Sequence, residues 1–152
     1  MIFNSLGYLF PAKELAFTET EIETYFLQNE DRKKLYEEYL LYTMQLNNLV
    51  GGKFSQWIDG SFATTKPTPK DIDIVNFIPA DKVTIWENDI RKLGESFPNL
   101  DIYTVKVYDK MESHFVYYQT DKLYWLYLFS HTRPNNRSGK KFAKGFIEIT
   151  HL

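Results

Sequence analysis

Cysteine is absent from the 152 residues. This excludes disulfides, thiolate zinc sites and cysteine nucleophiles. It agrees with a cytoplasmic location, which is the expectation here. No long uninterrupted apolar run occurs, so no transmembrane span and no membrane partner are expected. The opening Met1-Ile2-Phe3-Asn4-Ser5 lacks the charged start of a signal peptide. Internal repeats and low-complexity tracts are missing as well. The formal net charge is only -2, so no global field draws in nucleic acid, and any such contact has to come from a local patch. Histidine is scarce: His114, His131 and His151 lie far apart and show no metal-ligand spacing.

Hydrophobic residues make up 43% of the chain and charged residues 25%, which fits one globular domain large enough for a real core. Aromatics reach 17%. The plainer reading of that excess is an aromatic core, and the sharper one is a set of stacking surfaces for bases.

Residues 1–17 read as irregular, broken by Gly7 and Pro11. Thr18-Glu19-Thr20-Glu21 fits a capping box that starts a helix burying Ile22 and Phe26. After a break at Gln28-Asn29-Glu30, a longer helix runs to about Leu49, with Leu35, Tyr39, Tyr42 and Leu46 on one stripe. Gly51-Gly52 ends it. Strands are expected over Phe54–Asp59, Asp71–Ile78 and Leu100–Tyr108. A helix between the last two carries Val83, Trp86, Ile90 and Leu93 on one side. Thr120 or Asp121 caps a helix to Phe129. A final alternating strand over Gly145–Thr150 is placed at the sheet edge.

The chemistry concentrates in Trp57-Ile58-Asp59-Gly60-Ser61-Phe62 and Asp71-Ile72-Asp73-Ile74-Val75. Alternation along a strand puts Asp71 and Asp73 on one face. Two neighbouring carboxylates repel each other and resist desolvation, and a divalent cation removes both problems. Oxygen ligands of this kind suit Mg²⁺ or Mn²⁺ together with substrate phosphates. The Gly60-Ser61 turn offers backbone N–H groups and a hydroxyl to a phosphate. Asp59 is expected to hydrogen-bond the turn amides. Ser61 has no histidine base placed near it and is not read as a nucleophile. Arg133, Arg137, Lys140, Lys141 and Lys144 form a basic stretch without acids. A solvated loop is the favoured reading and a polyanion contact the alternative.

The Gly-Ser turn, spacer and Asp-x-Asp resemble the nucleotidyltransferase superfamily, the fold of polymerase β. Lys66-Pro67, Pro69-Lys70, Gly7 to Pro11, Arg32, Asp101-Ile102-Tyr103, Phe129 to Arg133 and Lys144 to Ile149 extend the likeness. Together they resemble a family of small stand-alone bacterial nucleotidyltransferase-like proteins with no assigned function. The resemblance implies an α+β fold, a mixed β-sheet with helices packed on one face and an N-terminal helical segment. It implies a single domain over 1–152: a helical segment 1–50, a catalytic core 53–108, and a helix, basic loop and strand over 109–152.

The resemblance further implies a Mg²⁺ or Mn²⁺ site at Asp71, Asp73 and Asp101, the last being otherwise a solvated aspartate at a strand end. Gly60 and Ser61 would hold the triphosphate, with Lys66, Arg133 and Lys144 as further nucleotide contacts. The implied activity is transfer of a nucleotidyl group from an NTP to a hydroxyl of RNA, protein or a small molecule. By analogy alone, a toxin–antitoxin or phage-defence setting follows, with a partner protein or homo-oligomer. The alternative is a catalytically inactive nucleotide-binding or interaction module.

Overall fold

The computed structural model describes residues 2–152. Five strands and four helices follow in the order β1 (Glu14–Ala16), α1 (Glu19–Phe26), α2 (Glu30–Val50), β2 (Phe54–Asp59), β3 (Ile72–Pro79), α3 (Ala80–Glu95), β4 (Leu100–Val107), α4 (Phe115–Phe129) and β5 (Phe146–His151). The strands form one mixed sheet in the order β1-β5-β2-β3-β4. β1 runs parallel to β5 and β3 parallel to β4, while β2 is antiparallel to both of its neighbours.

Local chemistry sets the helix ends. Thr18 Oγ1 accepts from the Glu21 N–H at 3.2 Å, and Glu21 Oε1 accepts from the Thr18 N–H at 3.1 Å, so the capping box closes as read. Asn29 caps α2 by accepting from the Arg32 N–H. Gly51 stops α2 in the left-handed region at φ 82°, where a side chain is disfavoured.

The sheet is buried on both faces, by two separate cores. Leu35, Tyr39, Tyr42 and Leu46 of α2 pack with Val83 and Ile90 of α3 against Ile58, Ile72, Ile74 and Ile78. On the opposite face α4 covers Trp57, Val75, Phe77, Val105 and Phe146 with Phe129 and Trp125. The expectation of helices on one face is therefore corrected. Val75 and Phe77 alternate with Ile74 and Ile78, and both sets are apolar, so both faces need cover.

Four further expectations change. Residues 14–16, read as irregular, form β1, a three-residue edge too short for alternation to be visible. β5 is not an edge, because β1 pairs on its far side. α4 begins at Phe115, five residues before the expected cap at Thr120, and His114 ahead of it supplies no side-chain cap. α3 breaks at Trp86 (φ -112°, ψ 20°), and Trp86 is left 37% exposed instead of joining the buried stripe. No helix among the described residues is long and apolar enough to cross a membrane.

Candidate metal centre and its cleft

Strand register brings three carboxylates into one row. Asp59 of β2 pairs with Asp73 of β3, and Asp73 pairs with Asp101 of β4. Directly paired residues on neighbouring strands point to the same face. That face is the one α4 covers, and the row sits at the end of the sheet where β2 finishes and β3 and β4 begin. Asp71, two residues before Asp73, completes a cluster with Asp73 and Asp101. One carboxylate oxygen from each of these three lies within 4.8 Å of the others.

Charge in this cluster is under strain. Burial first, then Asp71 and Asp101, push the Asp73 carboxyl up to about 6, and Arg133 draws it partly back. A divalent cation held among the three would remove that repulsion, and an all-oxygen set without histidine or cysteine suits Mg²⁺ or Mn²⁺. The residues present therefore fit such an ion.

The fourth carboxylate has its own partner. Lys144 Nζ donates to Asp59 Oδ1 and, at 2.8 Å, to the Phe129 carbonyl oxygen. Both members of the pair are 7% exposed or less. Burial pushes the Asp59 carboxyl up to about 7, against the pull of Lys144. The expectation that Asp59 serves mainly the turn amides is corrected, since its chief partner is Lys144, 85 positions away. Lys144 lines the cleft, but its ammonium is already engaged.

Gly60 is held at φ 83°, ψ -167°, a region open essentially to glycine alone. A Cβ there would stand 2.8 Å from Asp73 Oδ2. Gly60→Ala is therefore expected to lose about 1–3 kcal/mol of stability and to displace Asp73. Thermal melting with and without Mn²⁺ checks both, because a displaced Asp73 would also remove the stabilisation expected from an ion held at Asp71, Asp73 and Asp101.

The turn after Gly60 is fixed from behind by Arg32. This side chain is 1% exposed, yet no carboxylate pairs with it among the described residues. Its guanidinium donates to the carbonyl oxygens of Phe26 (3.1 Å), Phe62 (2.9 Å), Thr64 (2.6 Å) and Lys66. A longer contact reaches the Ser61 carbonyl at 3.4 Å. One arginine thus organises the loop 61–66 that faces the carboxylates.

A cleft of about 830 Å³ opens over this arrangement. Asp71, Asp73 and Asp101 line it together with Gly60, Ser61 and Lys66. Arg133, His131 and Trp125 line it as well, and Tyr8 comes from the N-terminal loop. All eight residues expected in the site line this one cleft. Sequence reasoning missed the Arg32 clamp, the Asp59–Lys144 pair and the aromatic lining. For Arg32 a signal existed: an arginine on the buried stripe of α2, three positions before Leu35.

A family model described as a family of unknown function (DUF6932) matches residues 1–150. No curated protein matches the chain, and no solved structure does.

Proposed function

The chain belongs to the family of unknown function DUF6932, and from its cleft we propose a metal-dependent nucleotidyltransferase of polymerase β-like fold. One observation carries the reading. Three carboxylates converge within 4.8 Å in a cleft that a Gly-Ser turn also lines. A cleft of about 830 Å³ accommodates a nucleoside triphosphate.

Asp71, Asp73 and Asp101 would hold the cation. When bound, it neutralises the triphosphate and lowers the pKa of the acceptor hydroxyl. Gly60 and the Ser61 hydroxyl receive the β- and γ-phosphates, and the exposed Lys66 and Arg133 add positive charge at the rim. The acceptor oxygen bonds to the α-phosphorus as the bond to the β-phosphoryl oxygen breaks, releasing pyrophosphate. Asp101, the exposed member of the row, takes the hydroxyl proton. The work of the remaining residues is positioning: Arg32 fixes the turn, and Lys144 holds Asp59 in the row beside Asp73.

The test is label transfer. The protein is incubated with each α-labelled NTP and Mg²⁺ or Mn²⁺, with total RNA and cell extract as acceptors, beside Asp71→Asn/Asp73→Asn. Label on RNA, protein or a small molecule, lost in the double variant, is the expected result. Metal-dependent NTP binding without pyrophosphate release under any condition would make the protein a nucleotide sensor instead.

A further inference from the structure

The chain is acidic overall, but its positive charge is not evenly spread. From Lys122 to Ile147 there is no Asp or Glu, although the chain has 20, and this stretch holds six of the 18 Lys and Arg. It comprises the second half of α4, the loop to β5 and the start of β5. Arg133, Arg137, Lys140 and Lys141 are all exposed.

The outer side of α4 is aromatic where a solvent-facing helix is ordinarily charged. Tyr124 is 58% exposed and Tyr127 54%. These rings join the basic loop directly. Lys141 Nζ lies 5.2 Å from the centre of the Tyr127 ring and 3.3 Å from its hydroxyl. Tyr127 in turn contacts the His131 ring at 4.8 Å. A second line of rings runs from Tyr124 to Trp125 (5.2 Å) and from Trp125 to Tyr103 (4.6 Å). Both lines end in the cleft, since Trp125, Tyr103 and His131 all line it. The surface thus runs into the cleft that Asp101 lines.

We propose that this face binds a single-stranded polynucleotide and leads its end into the cleft as the acceptor. Exposed π-faces interleaved with cations are what an unpaired strand requires: bases stack on the rings and phosphates meet the lysines and arginines. Charge complementarity selects this occupant over a protein surface, because residues 122–147 supply cations and no carboxylate. A duplex offers no free base faces and gains only the backbone contacts. The acceptor role rests on the nucleotidyltransferase reading, whereas binding of the strand does not.

Fluorescence anisotropy of labelled 20-nucleotide RNA and DNA strands, with the matching duplex, tests this without nucleotide or divalent cation. Wild type is expected to bind the single strands at least about tenfold tighter than the duplex. Affinity should fall by roughly tenfold or more between about 50 and about 200 mM salt. Lys140→Glu/Lys141→Glu is expected to weaken binding by about tenfold and to flatten the salt dependence. Tyr124→Ser/Tyr127→Ser should weaken it by a similar factor with the salt dependence kept. These four side chains are exposed, so circular dichroism should match wild type. Absence of binding by folded wild type would overturn the proposal, as would equal affinity for strand and duplex. So would a self-association that the tyrosine variant abolishes while strand binding stays intact. Label transfer to a protein or small molecule alongside absent strand binding would overturn this inference alone. Strand binding without label transfer to any acceptor would support the binding face and overturn the acceptor role together with the catalytic reading.

Discussion

Asp73→Asn is expected to abolish nucleotidyl transfer, by at least about a thousandfold or ~4 kcal/mol of transition-state stabilisation, while making the metal-free protein more stable. The two effects have one origin. Asp73 is the central carboxylate of the row, flanked by Asp59 and Asp101 in register and by Asp71 along the chain. Its raised pKa means that the fold disfavours its charged form. The stability held by its protonated form is complete below the ordinary carboxylate pKa and is lost as pH rises through about 6. In chelator, wild type should therefore melt at progressively lower temperature than Asp73→Asn as pH climbs from about 4 to about 7. Mn²⁺ at neutral pH should reverse the order, because only wild type gains from the ion. A purely structural Asp73 would show the opposite: an amide that destabilises at every pH and no response to metal.

Arg32→Ala is expected to destabilise the fold strongly, by about 3–5 kcal/mol, because several carbonyl oxygens lose their donor at once. The loss goes well beyond the removed contacts, since the buried carbonyl oxygens of Phe26 and Phe62 would lose this donor, and the part-buried ones of Thr64 and Lys66 would lose it too. In a domain of this size each kcal/mol corresponds to roughly 2–4 °C, so the melting temperature should fall by about 10 °C. Arg32→Lys should recover little, because an ammonium cannot span carbonyls that a planar fork reaches from two sides. Denaturant unfolding of the three proteins gives the comparison directly. If Arg32→Lys unfolds like wild type, the clamp is a simple charge effect. If the variants remain folded at low temperature, Mn²⁺ binding should still weaken, as Gly60 and Ser61 no longer hold their place beside Asp73.

Periodicity made the skeleton legible. Strand β2 was readable to its exact ends from Phe54 to Asp59, and α2 from its Tyr39, Tyr42 and Leu46 stripe. Asp71 and Asp73 announced themselves because two carboxylates at alternate positions of an apolar strand need a reason. Asp101 was harder: on spacing alone it is a strand-end aspartate after Pro98-Asn99, and only the register of β4 on β3 sets it beside Asp73. The Asp59–Lys144 pair spans most of the chain and follows from β5 pairing with β2, which no local pattern encodes. The basic stretch was visible as charge but not as a surface. The aromatic excess read as core material, and Tyr124 and Tyr127 of α4 turned out to face solvent beside that charge.

Titration with Mn²⁺, followed by its paramagnetic resonance signal in the presence of an NTP, tests the central claim most directly, because it needs no knowledge of the acceptor. Wild type is expected to immobilise the ion, and Asp71→Asn, Asp73→Asn and Asp101→Asn each to weaken its binding by at least about tenfold. Free Mn²⁺ at unchanged signal over folded wild type, or equal binding by all four proteins, would contradict that claim.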